Sequence, residues 1–196
     1  MLSRKRISIT TLATILSLGG IGTSTAFAGT NFWDGGDHQD LASVLNASTS
    51  LIQAIGVAEQ KTGAKAFKID LNEDNGLISY EIKSVKDGKI FITTINSTTG
   101  KILKSEGEGI LGNFFNEGDS GELDKFAHSS MTLTQVIGTA EKQLGGTAVE
   151  AGFEDEDKSA ANSMAIRVKI AKESSFQTVF VDVAANTVVD VRNEKD

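Results

Sequence analysis

The sequence predicts an α+β protein made of two tandem modules, each a helix packed on a small antiparallel β-sheet. Three observations point there. A helix-forming segment occurs twice at a fixed offset, and each copy is followed by runs that alternate apolar and polar residues. The turns between those runs carry Gly, Asn or Asp, the residues that best tolerate a positive φ. The chain contains no proline, so its turns depend on these residues.

The duplicated helix comes first. Residues 50–63, SLIQAIGVAEQKTG, align without a gap on residues 132–145, TLTQVIGTAEKQLG, at an offset of 82. Ser50 and Thr132 stand at the N-cap, and Gln53 and Gln135 follow three positions later. This is the capping-box pattern, in which two side chains satisfy two orphaned N–H groups. Leu51, Ala54, Ile55 and Ala58 then fall at helical spacing, as do Leu133, Val136, Ile137, Ala140 and Leu144. Gly63 and Gly145 sit where a left-handed residue ends a helix. Gly56 and Gly138 lie mid-helix, where each costs about 1 kcal/mol relative to Ala. A close approach of helix to sheet is the expected reason.

After each helix the period changes to two. Phe67, Ile69 and Leu71 alternate with Lys68 and Asp70, and Ile78, Tyr80 and Ile82 alternate with Ser79, Glu81 and Lys83. Asn75-Gly76 between them is a hairpin signal. Asp87-Gly88 leads into a third strand, Lys89 to Ile95, and a turn at Ser97 to Gly100 into a short fourth, Lys101 to Leu103. In the second copy the strands are expected at Val149 to Phe153, Met164 to Ile170, Phe176 to Val183 and Val188 to Val191. The offset becomes 86 after a longer first hairpin, so Asn186 falls on Gly100. Asn is the residue other than Gly that best accepts φ > 0.

The expected organisation is a signal peptide at 1–28, a flexible mature N-terminus at 29–39, a first module at 40–104, a Gly/Glu-rich linker at 105–121 and a second module at 122–196. Each module is expected to open with a short helical turn, at Asp40 to Val44 and Glu122 to Phe126. Phe114 and Phe115 in the linker are expected to dock on a module, since a free linker rarely carries adjacent Phe. The leader reading rests on basic Arg4, Lys5 and Arg6, an apolar stretch from Ile7 to Ile21, and Ala26-Phe27-Ala28, with cleavage expected after Ala28. A periplasmic or secreted location follows. Cleavage removes three positive charges and no acid, taking the formal net charge from −7 to −10. So acidic a chain argues against nucleic acid or anionic lipid as a partner. The absence of cysteine excludes a disulfide, a thiolate metal site and a lipidated cysteine.

The helix residues Leu51, Ala54, Ile55, Ala58 and Glu59, the stretch Tyr80-Glu81-Ile82, and Asn96-Ser97-Thr98-Thr99-Gly100-Lys101-Ile102-Leu103 together resemble the PepSY domain. The second copy keeps Leu133, Ile137, Ala140, Glu141, Arg167-Val168 and Asp182, and departs at Ile166 and Asn186. The resemblance implies a helix on an antiparallel sheet, an extracytoplasmic place and a non-catalytic role, with inhibition or restraint of peptidases as the role usually proposed. It implies no fixed catalytic set.

The residues themselves agree that no enzyme is expected. His38 and His128 stand in no nucleophile motif, and neither G-x-S-x-G nor H-E-x-x-H occurs. No catalytic, cofactor-binding or metal residues are assigned. Asp70, Asn72, Asp74 and Glu81 occupy positions 1, 3, 5 and 12 of a calcium-loop pattern, but position 6 is Asn75 and the flanks read as strands. Glu154 to Asp157 is the equivalent acidic tip in the second copy, and a solvated loop is the plain reading of both. Trp33, beside Phe32, reads either as a partner anchor or as a tail folded onto a module. Three roles stay open: a peptidase-regulating module that pairs a sheet edge with an extended partner strand, an envelope adaptor, and a weak acidic calcium binder. Module packing and oligomeric state are left open as well.

Overall fold

The structure, a computed structural model, describes residues 47–110, 117–153, 164–172 and 175–193. Its elements in order are α1 (Leu51–Thr62), β1 (Lys65–Asp74), β2 (Leu77–Lys86), β3 (Lys89–Asn96), β4 (Ile102–Ile110), α2 (Glu117–His128), α3 (Leu133–Leu144), β5 (Thr147–Gly152), β6 (Ala165–Lys172), β7 (Ser175–Asp182) and β8 (Thr187–Asn193). The fold is α+β. The described strands make one eight-stranded antiparallel sheet in the order β4-β3-β2-β1-β5-β6-β7-β8.

Local signals set the ends of α1 and α3. Ser50 Oγ accepts from the Gln53 N–H at 3.2 Å while Gln53 Oε1 accepts from the Ser50 N–H at 2.9 Å. Thr132 and Gln135 repeat both bonds at the same distances. Gly63 and Gly145 end the helices at φ 63° and 68°, each donating its N–H to the carbonyl four residues back, at 2.8 Å. Leu51, Ala54, Ile55 and Ala58 of α1 and Leu133, Val136, Ile137 and Ala140 of α3 are buried.

These stripes meet a single core. Phe67, Ile69, Tyr80, Ile82 and Ile95 from the first four strands belong to the same buried cluster as Ile166, Val168, Ile170, Val179 and Val181 from the last four. The expectation of a small sheet for each helix is thereby corrected. Two four-stranded halves are fused edge to edge, with Lys68 opposite Gly152 and Ile69 opposite Ala151. Gly152 makes the join: a Cβ there would lie 2.6 Å from Lys68 Cγ and 3.2 Å from Lys68 Cα. Fusion also removes two strand edges whose N–H and C=O groups would otherwise need other partners.

Four further expectations are revised. The fourth strand, expected only at Lys101 to Leu103, runs over Ile102–Ile110. The segment expected as a linker at 105–121 therefore begins in strand and ends in helix. The short turn at Glu122 to Phe126 is part of α2, which buries Leu123 and Phe126. The Phe126 ring meets Phe153 edge to face, with centroids 5.2 Å apart. Lys65 Nζ donates to the carbonyls of Phe126 at 2.6 Å and Ser129 at 2.8 Å and lies 4.2 Å over the Phe126 ring, tying the end of α2 to β1. Burial lowers the pKa of this ammonium, and Glu59 opposes that shift. Finally, Gly56 and Gly138 make no close approach to the sheet: a Cβ at either meets no described atom beyond its own helix backbone within 4 Å. The leader, Trp33, His38, Asp40 to Val44, Phe114, Phe115 and the tip Glu154 to Asp157 lie outside the described residues.

Candidate functional site

Several of the residues that carry the family resemblance have structural partners. Glu59 Oε1 accepts the Ala66 N–H at 2.9 Å, and Glu141 Oε1 accepts the Ala148 N–H at the same distance. The ladders slip beside these two alanines, between Ala66 and Lys68 and between Ala148 and Glu150. Each glutamate thus satisfies a donor where the strand pairing is broken, seven residues ahead of itself. Nothing local in the sequence signals this role; the repeat of the Glu at offset 82 was its only trace.

Tyr80, the chain's single tyrosine, is almost fully buried and donates its hydroxyl to the Thr49 carbonyl at 2.7 Å. It anchors the approach to α1, and burial pushes its pKa up to about 12. Asn96 organises the next turn: its Oδ1 accepts from the N–H groups of Thr98 and Thr99, and Gly100 closes the turn at φ 66°. In the second half Asp182 accepts from the Ala185 N–H at 2.6 Å, and Asn186 closes the turn at φ 52°, as its place on Gly100 predicts. The Asn75-Gly76 hairpin likewise forms, at φ 50° and 77°.

The acidic run does not gather. Asp70, Asn72 and Asp74 alternate along β1, and a rise of ~3.3 Å per residue spreads Asp70 and Asp74 over about 13 Å. Glu81 lies opposite Asp70 and pairs with Lys83 at 3.6 Å. Asp70 pairs with Lys68 at 3.5 Å; its carboxyl pKa is raised by burial, which Lys68 partly offsets. Among the described residues no three acidic or histidine side chains are arranged to hold a metal ion. His128, exposed at the end of α2, has its Nδ1 2.8 Å from the Asp124 carbonyl.

Two surfaces remain. One is a cavity of 570 Å³ lined by Thr139, Lys142, Gln143, Asn186, Thr187 and Val188, spanned by a Thr139–Asn186 hydrogen bond of 2.8 Å. The other is the pair of sheet edges. β4 is exposed along almost its whole length, with Ile102, Leu103 and Ile110 open to solvent, and β8 exposes Val189 and Val191. Among the described residues no further strand pairs with either edge. No described helix is long and apolar enough to cross a membrane.

Comparison with known proteins places part of this arrangement. No curated protein matches the chain. Among solved structures it is similar to one described as a "putative lipoprotein" from Clostridium difficile 630, at 20% identity and a TM-score of 0.44, covering 76% of this chain and 95% of that one. Residues 50–106, from the cap of α1 into β4, match the profile of the PepSY family, the peptidase propeptide and YPEB domain. This chain therefore carries a PepSY domain at residues 50–106.

Proposed function

We propose that the protein is an exported, non-catalytic binding protein made of two copies of one PepSY-type module, and that it restrains an extracytoplasmic peptidase by taking an extended segment of it as an added strand. One observation carries this reading. The signature residues Leu51, Ile55, Glu59, Tyr80 and Asn96 are engaged in packing, bulge and turn, while the two outermost strands keep their outer edges exposed. An exposed edge recognises extended chain through main-chain hydrogen bonds and needs no catalytic group. The family's description as a peptidase propeptide domain supports a peptidase as the partner, and its extracytoplasmic use agrees with the leader expected at 1–28. The test is capture from cell-envelope extract on the immobilised chain, followed by peptidase assays with added chain. A captured peptidase that loses activity supports the reading. Absence of a captured peptidase together with unchanged activity overturns it.

A further inference from the structure

The outer edge of β4 carries a pattern that complements itself. Between the register shifts at Ile90/Phe91 and Thr94/Ile95, the stretch Lys104–Gly107 pairs regularly with Phe91–Thr94. It is the flat part of the edge. Lys104 and Glu106 sit two residues apart, on one face of the strand, and form an ion pair with each other. Their side chains are 64% and 44% exposed, so both can reach a neighbouring strand.

We infer that this edge pairs with β4 of a second copy of the chain, antiparallel, about a two-fold axis at Ser105. In that register Lys104 of each copy lies opposite Glu106 of the other, which turns two intrastrand pairs into a square of alternating charge. Leu103, 50% exposed, falls at the register shift just outside this flat stretch, and Gly107 of the other copy, with no side chain, leaves that end of the pair open. The neighbouring registers that keep both helix layers on one side are unfavourable. Shifting the axis to Lys104 sets Lys104 against its own copy, and shifting it to Glu106 sets Glu106 against its own copy; like charges directly opposite are destabilising. The result is a closed, isologous dimer with a sheet continuous across the axis.

The other edge sharpens the choice. At offset 86, Lys104 and Glu106 fall on Asp190 and Arg192 of β8, the same pair with its polarity reversed. There the cation is engaged, with the Arg192 guanidinium 4.4 Å over the Phe180 ring. β4 keeps a long, open ammonium for an intermolecular pair, and β8 stays available for a partner strand. The inference does not depend on the peptidase reading.

The interface is one short strand pair, so it is small and of the transient kind, and its charged contacts weaken with salt. Sedimentation equilibrium of the full chain over a range of concentrations is the measurement. Wild type is expected to approach twice the monomer mass at high concentration and low salt. Lys104→Glu alone or Glu106→Lys alone should stay monomeric, since each sets like charges across the axis. The double variant Lys104→Glu/Glu106→Lys should regain the dimer, and a mixture of the two single variants should form a heterodimer. Circular dichroism of these exposed-site variants checks that each is folded. A wild type that stays monomeric at every concentration, or a dimer indifferent to the single reversals, overturns the inference.

Discussion

The half built on α1 and β1–β4 and the half built on α3 and β5–β8 reach the same architecture with different interiors. Among the described residues they agree at the helix ends, at the first strand of each half and at the last turn. Both helices have a capping box and a left-handed glycine, the register shift in the first strand of each half lies beside an N–H taken by a helix glutamate, and both last turns close on a residue with positive φ. They differ at core side chains. Tyr80 faces Ile166 across the offset of 86, and Ser84 faces Ile170. Ser84 is fully buried and its hydroxyl has no hydrogen-bond partner among the described residues, while Ile170 fills the equivalent place with an aliphatic chain. Hydrogen-bond geometry at caps, bulges and turns allows few substitutes, whereas a core position accepts many shapes of similar volume. The family match covers residues 50–106, and at offset 86 the second half has Ile166 and Asn186 where the first has Tyr80 and Gly100.

The largest expected effect concerns whether the two halves unfold together. Ile55→Asp or Ile137→Asp puts a carboxylate at a fully buried site, a change of the kind that costs more than about 4 kcal/mol. Because both isoleucines belong to one cluster across a fused sheet, either variant should remove the whole cooperative transition in a urea melt. A surviving transition of about half the amplitude would mean that the β1–β5 join does not couple the halves.

Next in size is the pair of glutamates. Glu59→Ala and Glu141→Ala each strand an N–H at a buried alanine, at a cost of about 1–3 kcal/mol. Glu→Gln keeps an acceptor and should lose much less. Urea midpoints would read both. Similar losses at the two sites support equivalence, and a loss at one site alone contradicts it.

These two cases also divide what was legible in the sequence from what was not. Caps, helix stops, the Asn75-Gly76 hairpin and the Gly100/Asn186 equivalence are short-range backbone requirements, and residues within four positions state them. The fusion of the halves depends on the missing side chain of Gly152 beside Lys68, more than eighty residues away in the chain. The start of α2 falls in the expected linker because Gly118, Ser120 and Gly121 dilute it, while the short turn expected at Glu122 to Phe126 holds Leu123 and Phe126, the buried residues among those described. The sequence predicts a short β4 because Ser, Glu and Gly make up most of its later half; pairing with β3 overrides their low strand propensity. The edge surfaces were foreseen as a kind of site, but which strands lie at the edges is a matter of sheet order.

Tyr80→Phe probes a contact found in one half alone. Without the hydroxyl, the Thr49 carbonyl loses its donor at a cost of about 1–2 kcal/mol near neutral pH. The pH dependence is more specific. The folded protein holds the Tyr80 proton up to about pH 12, whereas the unfolded chain releases it near 10. Folded protein binds more protons between these values, so stability falls as pH rises through that window, by about 2–3 kcal/mol in all. The variant should lack this fall. Spectrophotometric titration of the single tyrosine gives the midpoint directly, and a value near 10 in folded protein would contradict the buried contact.

The smallest effect is a gain. Gly56 and Gly138 occupy matched places in α1 and α3, and a methyl group at either meets no neighbouring atom. Neither has a positive φ, so alanine fits the backbone of both. The unfolded glycine chain has more freedom to lose, and Gly→Ala should stabilise by about 0.5–1 kcal/mol at each position. For a unit of this size that is a rise of roughly 2–4 °C in melting temperature per kcal/mol. The two sites lie on separate helices and an added methyl at either shares no neighbour with the other, so their gains should add in the double variant. Equal gains would show that α1 and α3 tolerate glycine for the same reason, namely that packing of the opposite face already holds each helix. A loss at either site would reveal a close neighbour that the described residues do not include.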